Sequence, residues 1–239
     1  MKTVLVTGAS GAIGTAIAKA FSEKGHAVVL GAFKNFEKVE NLKNEIIKNG
    51  GEAIAVSADI GTEEGTESLF SAAEKAFGKV DVLVNNAGVS HYGLFTDMQL
   101  SQWDLLIQTN LTSVFLCCRR ALPNMIREKY GCIINIGSVW GEVGASCEAA
   151  YSASKAAVSG LTKALAKEEG PSNIRVNCIA PGLIRTKMNS HFSENELEEF
   201  ENETALLRSG TAEEVASAAV FLLENEYVTG QVLNIDGGM

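Results

Sequence analysis

Lys2-Thr-Val-Leu-Val-Thr7-Gly8-Ala-Ser-Gly11-Ala-Ile-Gly14 opens the chain, and its reading decides the fold. The run from Lys2 to Thr7 is aliphatic and β-branched, which suits a buried strand. An alanine-rich stretch then continues to about Lys24 with helical character. A strand that enters a helix through a glycine-rich turn fits a phosphate-binding turn. Small residues let the backbone approach a pyrophosphate, and the helix N-terminus offers free N–H groups and a partial positive charge. The plainer alternative is a tight turn between two packed elements.

The same alternation repeats along the chain. Ala27 to Leu30 reads as a second strand, ending in Gly31-Ala-Phe-Lys34. An acidic residue here would take a ribose 2′-hydroxyl; none is present, and Lys34 suits a 2′-phosphate instead. Residues 36–49 read as a polar helix and Ala53 to Ser57 as a third strand. Asp59 follows, either to receive an adenine amino group or to cap the next helix. Val80 to Val84 is a fourth strand running into Asn85-Asn86-Ala87-Gly88, and strand ends of this kind are where open α/β sheets bind ligands. A long helical region spans Ser101 to Lys129. Asn110 interrupts it with a residue that competes for backbone groups, so a local kink that holds a water is expected there. Cys132 to Gly137, Ile174 to Ile179 (ending in Ala180-Pro181-Gly182) and Gln231 to Ile235 complete seven strands. Thr211-Ala-Glu-Glu214 has the form of a capping box. Residues 187–208 are charged and weakly patterned, as expected of a flap over a site. No repeat or linker divides the chain, so residues 1–239 read as one domain: an α/β, doubly wound, seven-stranded parallel sheet flanked by helices.

The stretch from Ser138 to Lys155 carries the chemistry. Tyr151 and Lys155 are four apart and share one face of a helix. Ser138, at the end of the fifth strand, can point at the same spot. A hydroxyl, a phenol and an ammonium converging on one point suit a carbonyl oxygen that must accept a proton. A free phenol has a pKa of roughly 10, so work near neutral pH asks for roughly 4 kcal/mol of help, and an adjacent ammonium is the expected source.

Composition sets outer bounds. Of 239 residues, 46% are hydrophobic, enough for a sizeable core, and the net charge is −9. No stretch is rich in lysine and arginine, which argues against nucleic acid as a partner. The five cysteines (Cys117, Cys118, Cys132, Cys147, Cys178) show no metal spacing, and free thiols in a reducing cytoplasm are expected. No signal peptide and no apolar run of ~18 residues is present, so no membrane association is expected.

Thr7-Gly8 with Gly14, Asp59, Asn86-Ala87-Gly88, Asn110, Ser138, Tyr151 with Lys155, and Pro181-Gly182 together resemble the short-chain dehydrogenase/reductase family over essentially the whole chain. The resemblance implies a Rossmann-type fold, a nicotinamide cofactor and a catalytic tetrad of Asn110, Ser138, Tyr151 and Lys155. In it Tyr151 donates the proton and Ser138 orients the carbonyl. Lys155 tunes Tyr151 and holds the ribose, and Asn110 positions a relay water. It carries cofactor contacts onto Gly8, Ser10, Gly11, Ile13, Gly14, Lys34, Asp59, Ile60, Asn86, Ala87, Gly88, Tyr151, Lys155, Pro181, Gly182, Ile184 and Thr186, and no metal. Two departures stand in the turn. The family's middle glycine falls on Ala12, and the basic residue of many NADP-preferring relatives falls on Gly11. Lys34 favours NADP(H) over NAD(H).

Within the family the chain resembles β-ketoacyl-(acyl carrier protein) reductases over its length. In Ser90 to Asp97 and Val139 to Glu148 it is similar to elongation factor P aminopentanone reductases of Gram-positive bacteria. Lys129 is kept from the basic points that resemble carrier docking, whereas Pro171-Ser172-Asn173 offers none. Trp140, Glu142, Cys147 and Glu148 are the candidate substrate contacts. A carboxylate there favours a substrate bearing an amine. The resulting expectation is a ketone reductase acting on a carrier-tethered substrate, leaning to the modified elongation factor. A small-molecule alcohol or sugar dehydrogenase and a nucleotide-sensing module remain as alternatives. A homotetramer or dimer is implied by the family.

Overall fold

The structure, a computed structural model, describes residues 1–186 and 193–239. Seven parallel strands form one sheet in the order β3-β2-β1-β4-β5-β6-β7. They are β1 (Thr3–Thr7), β2 (Ala27–Ala32), β3 (Ala53–Ser57), β4 (Val82–Asn85), β5 (Gly131–Ile136), β6 (Ile174–Pro181) and β7 (Val232–Ile235). The helices are α1 (Ala12–Glu23), α2 (Phe36–Lys48), α3 (Glu63–Phe77), α4 (Leu100–Ile107), α5 (Ser113–Glu128), α6 (Trp140–Val143), α7 (Ala149–Glu169), α8 (Glu194–Glu203) and α9 (Ala212–Glu224).

The aliphatic runs are explained by burial on both faces. Val4, Val6, Val28, Leu30, Val82, Val84 and Ile134 pack with α1, α2 and α9. Their alternate neighbours Leu5, Val29, Leu83, Ile133 and Val176 pack with α3, α5 and α7 on the opposite face. Asn85, Asn135 and Thr162 cross that second layer as a buried chain, Asn85 donating to Asn135 at 2.9 Å and Asn135 to Thr162 at 2.9 Å. Asn85 therefore belongs to the core rather than to the ligand edge on which the sequence placed it.

The sheet order reverses between β1 and β4, and a crevice opens at that point. It is closed at its base by Asn86, whose side chain donates to the carbonyls of Thr7 at 2.9 Å and Gly8 at 3.0 Å. The long helical region does break at Asn110. A π-turn over Gln108–Thr112 separates α4 from α5, and such turns cluster at functional sites. The capping box at Thr211 forms: Glu214 accepts from the Thr211 backbone at 2.9 Å, and its own N–H donates to Thr211 Oγ1 at 3.3 Å. The expected flap falls partly outside the described residues, at 187–192; its remainder is α8 and the strap leading to α9.

Candidate active site

A cavity of about 750 Å³ runs along the C-terminal edge of the sheet from the glycine-rich turn to α8. At one end the turn is shaped by close contact. Gly8 holds φ +64°, and a Cβ there would lie 2.7 Å from Ala87 Cα. A Cβ on Gly14 would lie 2.5 Å from the Gly8 carbonyl, whereas one on Gly11 meets nothing nearer than 3.5 Å. Gly11 caps α1 without a side-chain bond, which leaves the first-turn N–H groups for a ligand. Ala12 in place of the family's glycine is accommodated, because it forms the first residue of α1 and lines the cavity. These features fit a pyrophosphate.

The remaining cofactor-side residues fall along the same wall. Ser10 and Ile13 line it with the turn, and Asp59 and Ile60 line it after β3. Asp59 Oδ1 accepts from Gly61 N at 3.0 Å, so it closes the turn, while Thr62 is the residue that caps α3. Lys34 lies exposed on the wall, and Ser10 Oγ donates to its carbonyl at 3.5 Å. Asn86, Ala87 and Gly88 form the middle of the floor, and Pro181, Gly182, Ile184 and Thr186 enclose the far side. Phe33 and Asn35 also line the cavity beside Lys34, and the sequence reading passed over them.

Ser138, Tyr151 and Lys155 converge in this cavity, all at least nine-tenths buried. The Tyr151 hydroxyl faces Ser138 in the cavity, near enough for the serine to act on the phenol. Ser138 Oγ accepts from Trp140 N at 3.2 Å, which leaves the serine proton free to be donated. Lys155 Nζ donates to the Ile136 carbonyl at 2.8 Å and stands 5.7 Å from the Tyr151 ring centre. Burial pulls Lys155 down to about 8. The phenol does not follow the expected direction: burial pushes Tyr151 up to about 12, the Ser138 hydroxyl opposes this, and the nearby Glu148 carboxylate adds to it. The reason is that desolvation of a phenolate outweighs a cation committed to a backbone carbonyl.

Asn110 is wholly buried behind this group rather than on the cavity wall. Its Oδ1 accepts from Val89 N at 2.8 Å; its Nδ2 donates to Val89 O at 2.9 Å and to Ser154 Oγ at 3.1 Å. The side chain is a clamp between the loop after β4 and α7. A water held on it has one Oδ1 lone pair and the backbone as partners.

The four substrate candidates separate. Trp140 and Glu148 line the cavity. Glu142 does not: it faces α7 and accepts from Ser159 Oγ at 2.7 Å. Cys147 does not either; it turns at φ +62° and its thiol meets Tyr92. Phe200, on α8, lines the cavity and packs on Trp140 with ring centres 6.1 Å apart. It is the one aromatic in an otherwise acidic helix, and that was the available signal for it.

The family model described as enoyl-(acyl carrier protein) reductase matches residues 8–239. The uncharacterized oxidoreductase YmfI of Bacillus subtilis is 38% identical over 99% of this chain and 98% of its own length. A 3-oxoacyl-[acyl-carrier-protein] reductase of Synechocystis is 41% identical over 100% of this chain and 96% of its own. The crystal structure of the corresponding reductase from Brucella melitensis superposes with a TM-score of 0.93 at 34% identity, covering 100% of this chain and 91% of that one. With the site's geometry, these matches show that the chain is an oxidoreductase belonging to the short-chain dehydrogenase/reductase family.

Proposed function

We propose that the chain is an NADPH-dependent ketone reductase whose substrate arrives tethered to a carrier protein. The observation that carries the chemistry is the burial of Ser138 and Tyr151 in one cavity, close enough for the serine to act on the phenol, with Lys155 one helical turn away. The glycine-rich turn, with Gly8, Gly11 and Gly14, would hold a nicotinamide cofactor, which would supply the hydride. Ser138 donates to the carbonyl oxygen and fixes its position. Tyr151, protonated at neutral pH, delivers its proton to the oxygen as negative charge develops; an alkoxide is a stronger base than a phenolate, so the transfer runs downhill. The Lys155 cation then stabilises the phenolate. Lys34, with no acid at the end of β2, supports NADPH over NADH.

For the substrate, the relatives' names support a 3-oxoacyl thioester of acyl carrier protein. One observation favours a second reading, the aminopentanone carried on elongation factor P. Glu148 is buried to 7% exposure on the cavity wall, near enough to raise the Tyr151 pKa. A carboxylate there suits an ammonium better than an acyl chain.

The test is NADPH oxidation with a β-ketoacyl thioester and an aminopentanone-modified elongation factor P in parallel, for the wild type and Glu148→Gln, with NADH as control. Thioester turnover that survives Glu148→Gln supports the first reading. Turnover of the modified factor that Glu148→Gln abolishes supports the second. NADPH binding with turnover of neither would overturn both.

A further inference from the structure

Tyr151, Lys155 and Ser159 are spaced at intervals of four on α7 and form one row along its face. The turn that follows Ser138 crosses this row in register. Ser138 meets Tyr151. Gly141 rests on the helix backbone itself: a Cβ on it would stand 2.8 Å from Ala156 N and 2.8 Å from Lys155 C. Glu142 meets Ser159, whose Oγ donates to Oε1 at 2.7 Å. Ser159 is 4% exposed, near the Cys178 thiol of β6, which donates to the Ile179 carbonyl at 3.6 Å. The turn is held to Ser138 from within, because Gly141 N donates to the Ser138 carbonyl at 2.9 Å and Glu142 N to the Val139 carbonyl at 2.9 Å.

We infer that Glu142 is a positioning residue: bonded to Ser159, it locks α6 onto α7 and so sets the placement of Ser138 against Tyr151. The inference rests on the proposed reading that these two residues act on a carbonyl. The Glu142 side chain stays exposed, so its charge keeps its hydration while the buried serine hydroxyl gains an acceptor. Trp140 packs against the cluster that holds Tyr151, and Ala145 N donates to Ser152 Oγ at 3.2 Å, but among the described residues the Glu142–Ser159 bond is the side-chain tie at the Ser159 end of the row. Without the bond the turn pivots on Gly141, and the Ser138–Tyr151 contact at the other end loosens. The charged groups facing the phenol are Glu148, before α7, and Lys155, on α7. From the loop after β5 it meets the neutral Ser138, and α4 presents the apolar Leu106.

The experiment uses the full chain as wild type, Glu142→Ala, Glu142→Gln and Ser159→Ala. The first readout is the ring-carbon (Cζ) resonance of Tyr151 in ligand-free, tyrosine-labelled protein, assigned by its loss in Tyr151→Phe. The second is the pH profile of alcohol oxidation with NADP⁺, which needs the phenolate, alongside ketone reduction. Glu142→Ala and Ser159→Ala are expected to shift the Tyr151 resonance. They should also move the oxidation limb to higher pH by about half a unit, since the Ser138 contact that lowers the phenol's pKa weakens. In reduction kcat should fall about tenfold with KM within about twofold. Glu142→Gln keeps the acceptor and should restore all three. An unmoved resonance and limb in Glu142→Ala would overturn the inference. So would a change confined to KM, which would make Glu142 a substrate contact. A wild type that turns over no ketone while Glu142→Ala still shifts the resonance would refute the proposed function and leave the positioning role standing.

Discussion

Lys155→Met should flatten the pH dependence of folding stability, and the size of the effect follows from burial. Lys155 is 4% exposed, and its pKa falls from the ordinary 10.5 to about 8 because its ammonium has lost its water. Between those two pH values the unfolded chain holds a proton on this side chain that the folded chain has shed, so stability rises with pH across the window. The contribution is complete above pH 10.5 and is lost as pH falls through about 8. From pH 8 to pH 10 this amounts to about 2 kcal/mol, or about 4–8 °C in melting temperature for a chain of this size. Other groups work against the rise: the Cys178 thiol is pushed up to about 11 and Tyr151 to about 12, so both favour lower pH. They are present in both proteins and largely cancel in the difference. The lost bond to the Ile136 carbonyl costs about 1.5–3 kcal/mol where the lysine is charged, which offsets the relief of desolvation near neutrality, and about 0.5–1.5 kcal/mol where it is neutral. The slope of the difference, not its sign at pH 7, is therefore the quantity to read. Urea unfolding of ligand-free wild type and Lys155→Met at half-unit steps from pH 7 to pH 10 gives it. Wild type should gain about 2 kcal/mol on the variant between pH 8 and pH 10. Parallel curves would mean that Lys155 is hydrated in solution, and the argument from burial would fall.

Tyr151→Phe should lower kcat for ketone reduction by about 10²–10⁴-fold while NADPH binding by fluorescence titration stays intact; full activity would remove Tyr151 as the proton donor. Gly14→Ala should abolish NADPH binding and lower the melting temperature, because its Cβ would sit 2.5 Å from the Gly8 carbonyl, whereas Gly11→Ala, with 3.5 Å of clearance, should bind normally. Lys34→Ala should raise the Kd for NADPH by about tenfold and leave that for NADH unchanged, about 1.4 kcal/mol for a charge-assisted contact with a 2′-phosphate. Thr211→Ala should destabilise the fold by about 1 kcal/mol through loss of the α9 cap, measured by urea unfolding with activity preserved.

The sheet was legible because its five inner strands, β1, β2, β4, β5 and β6, are buried on both faces, so their sequences are mostly apolar runs, while the edge strands β3 and β7 are only partly buried. The ligand edge was harder to place. Asn85 and Asn86 are adjacent and chemically identical, yet β alternation turns Asn85 toward Asn135 in the core and leaves Asn86 under the glycine-rich turn. The reactive trio was readable from one helical interval and one strand end. The carboxylates between its members were readable only in part: Glu148 lines the cavity as expected and Glu142 does not. Glu142 and Glu148 flank a turn in which Gly144 and Cys147 both take positive φ, and no periodicity in the sequence sets the phase of a helix as short as α6. Asn110 could be read as a break in a helix, but the clamp onto Val89 joins residues 21 apart in the chain and only the fold brings them together.

The charges around Tyr151 connect the catalytic group to the choice of substrate. Glu148 works against the phenolate and Ser138 works for it, while Lys155 spends a hydrogen bond on the Ile136 carbonyl. A neutral acyl chain in the cavity leaves that opposition as it is, and the phenol stays a reluctant acid. A substrate ammonium beside Glu148 would cancel the opposing charge and bring the phenol down toward the working range in the same step that binds it. For an amine-bearing ketone, the Glu148 carboxylate would thus aid both holding and reduction. For such a substrate, recognition would lower the barrier as well as the dissociation constant, since the interaction strengthens as negative charge moves onto the phenol oxygen.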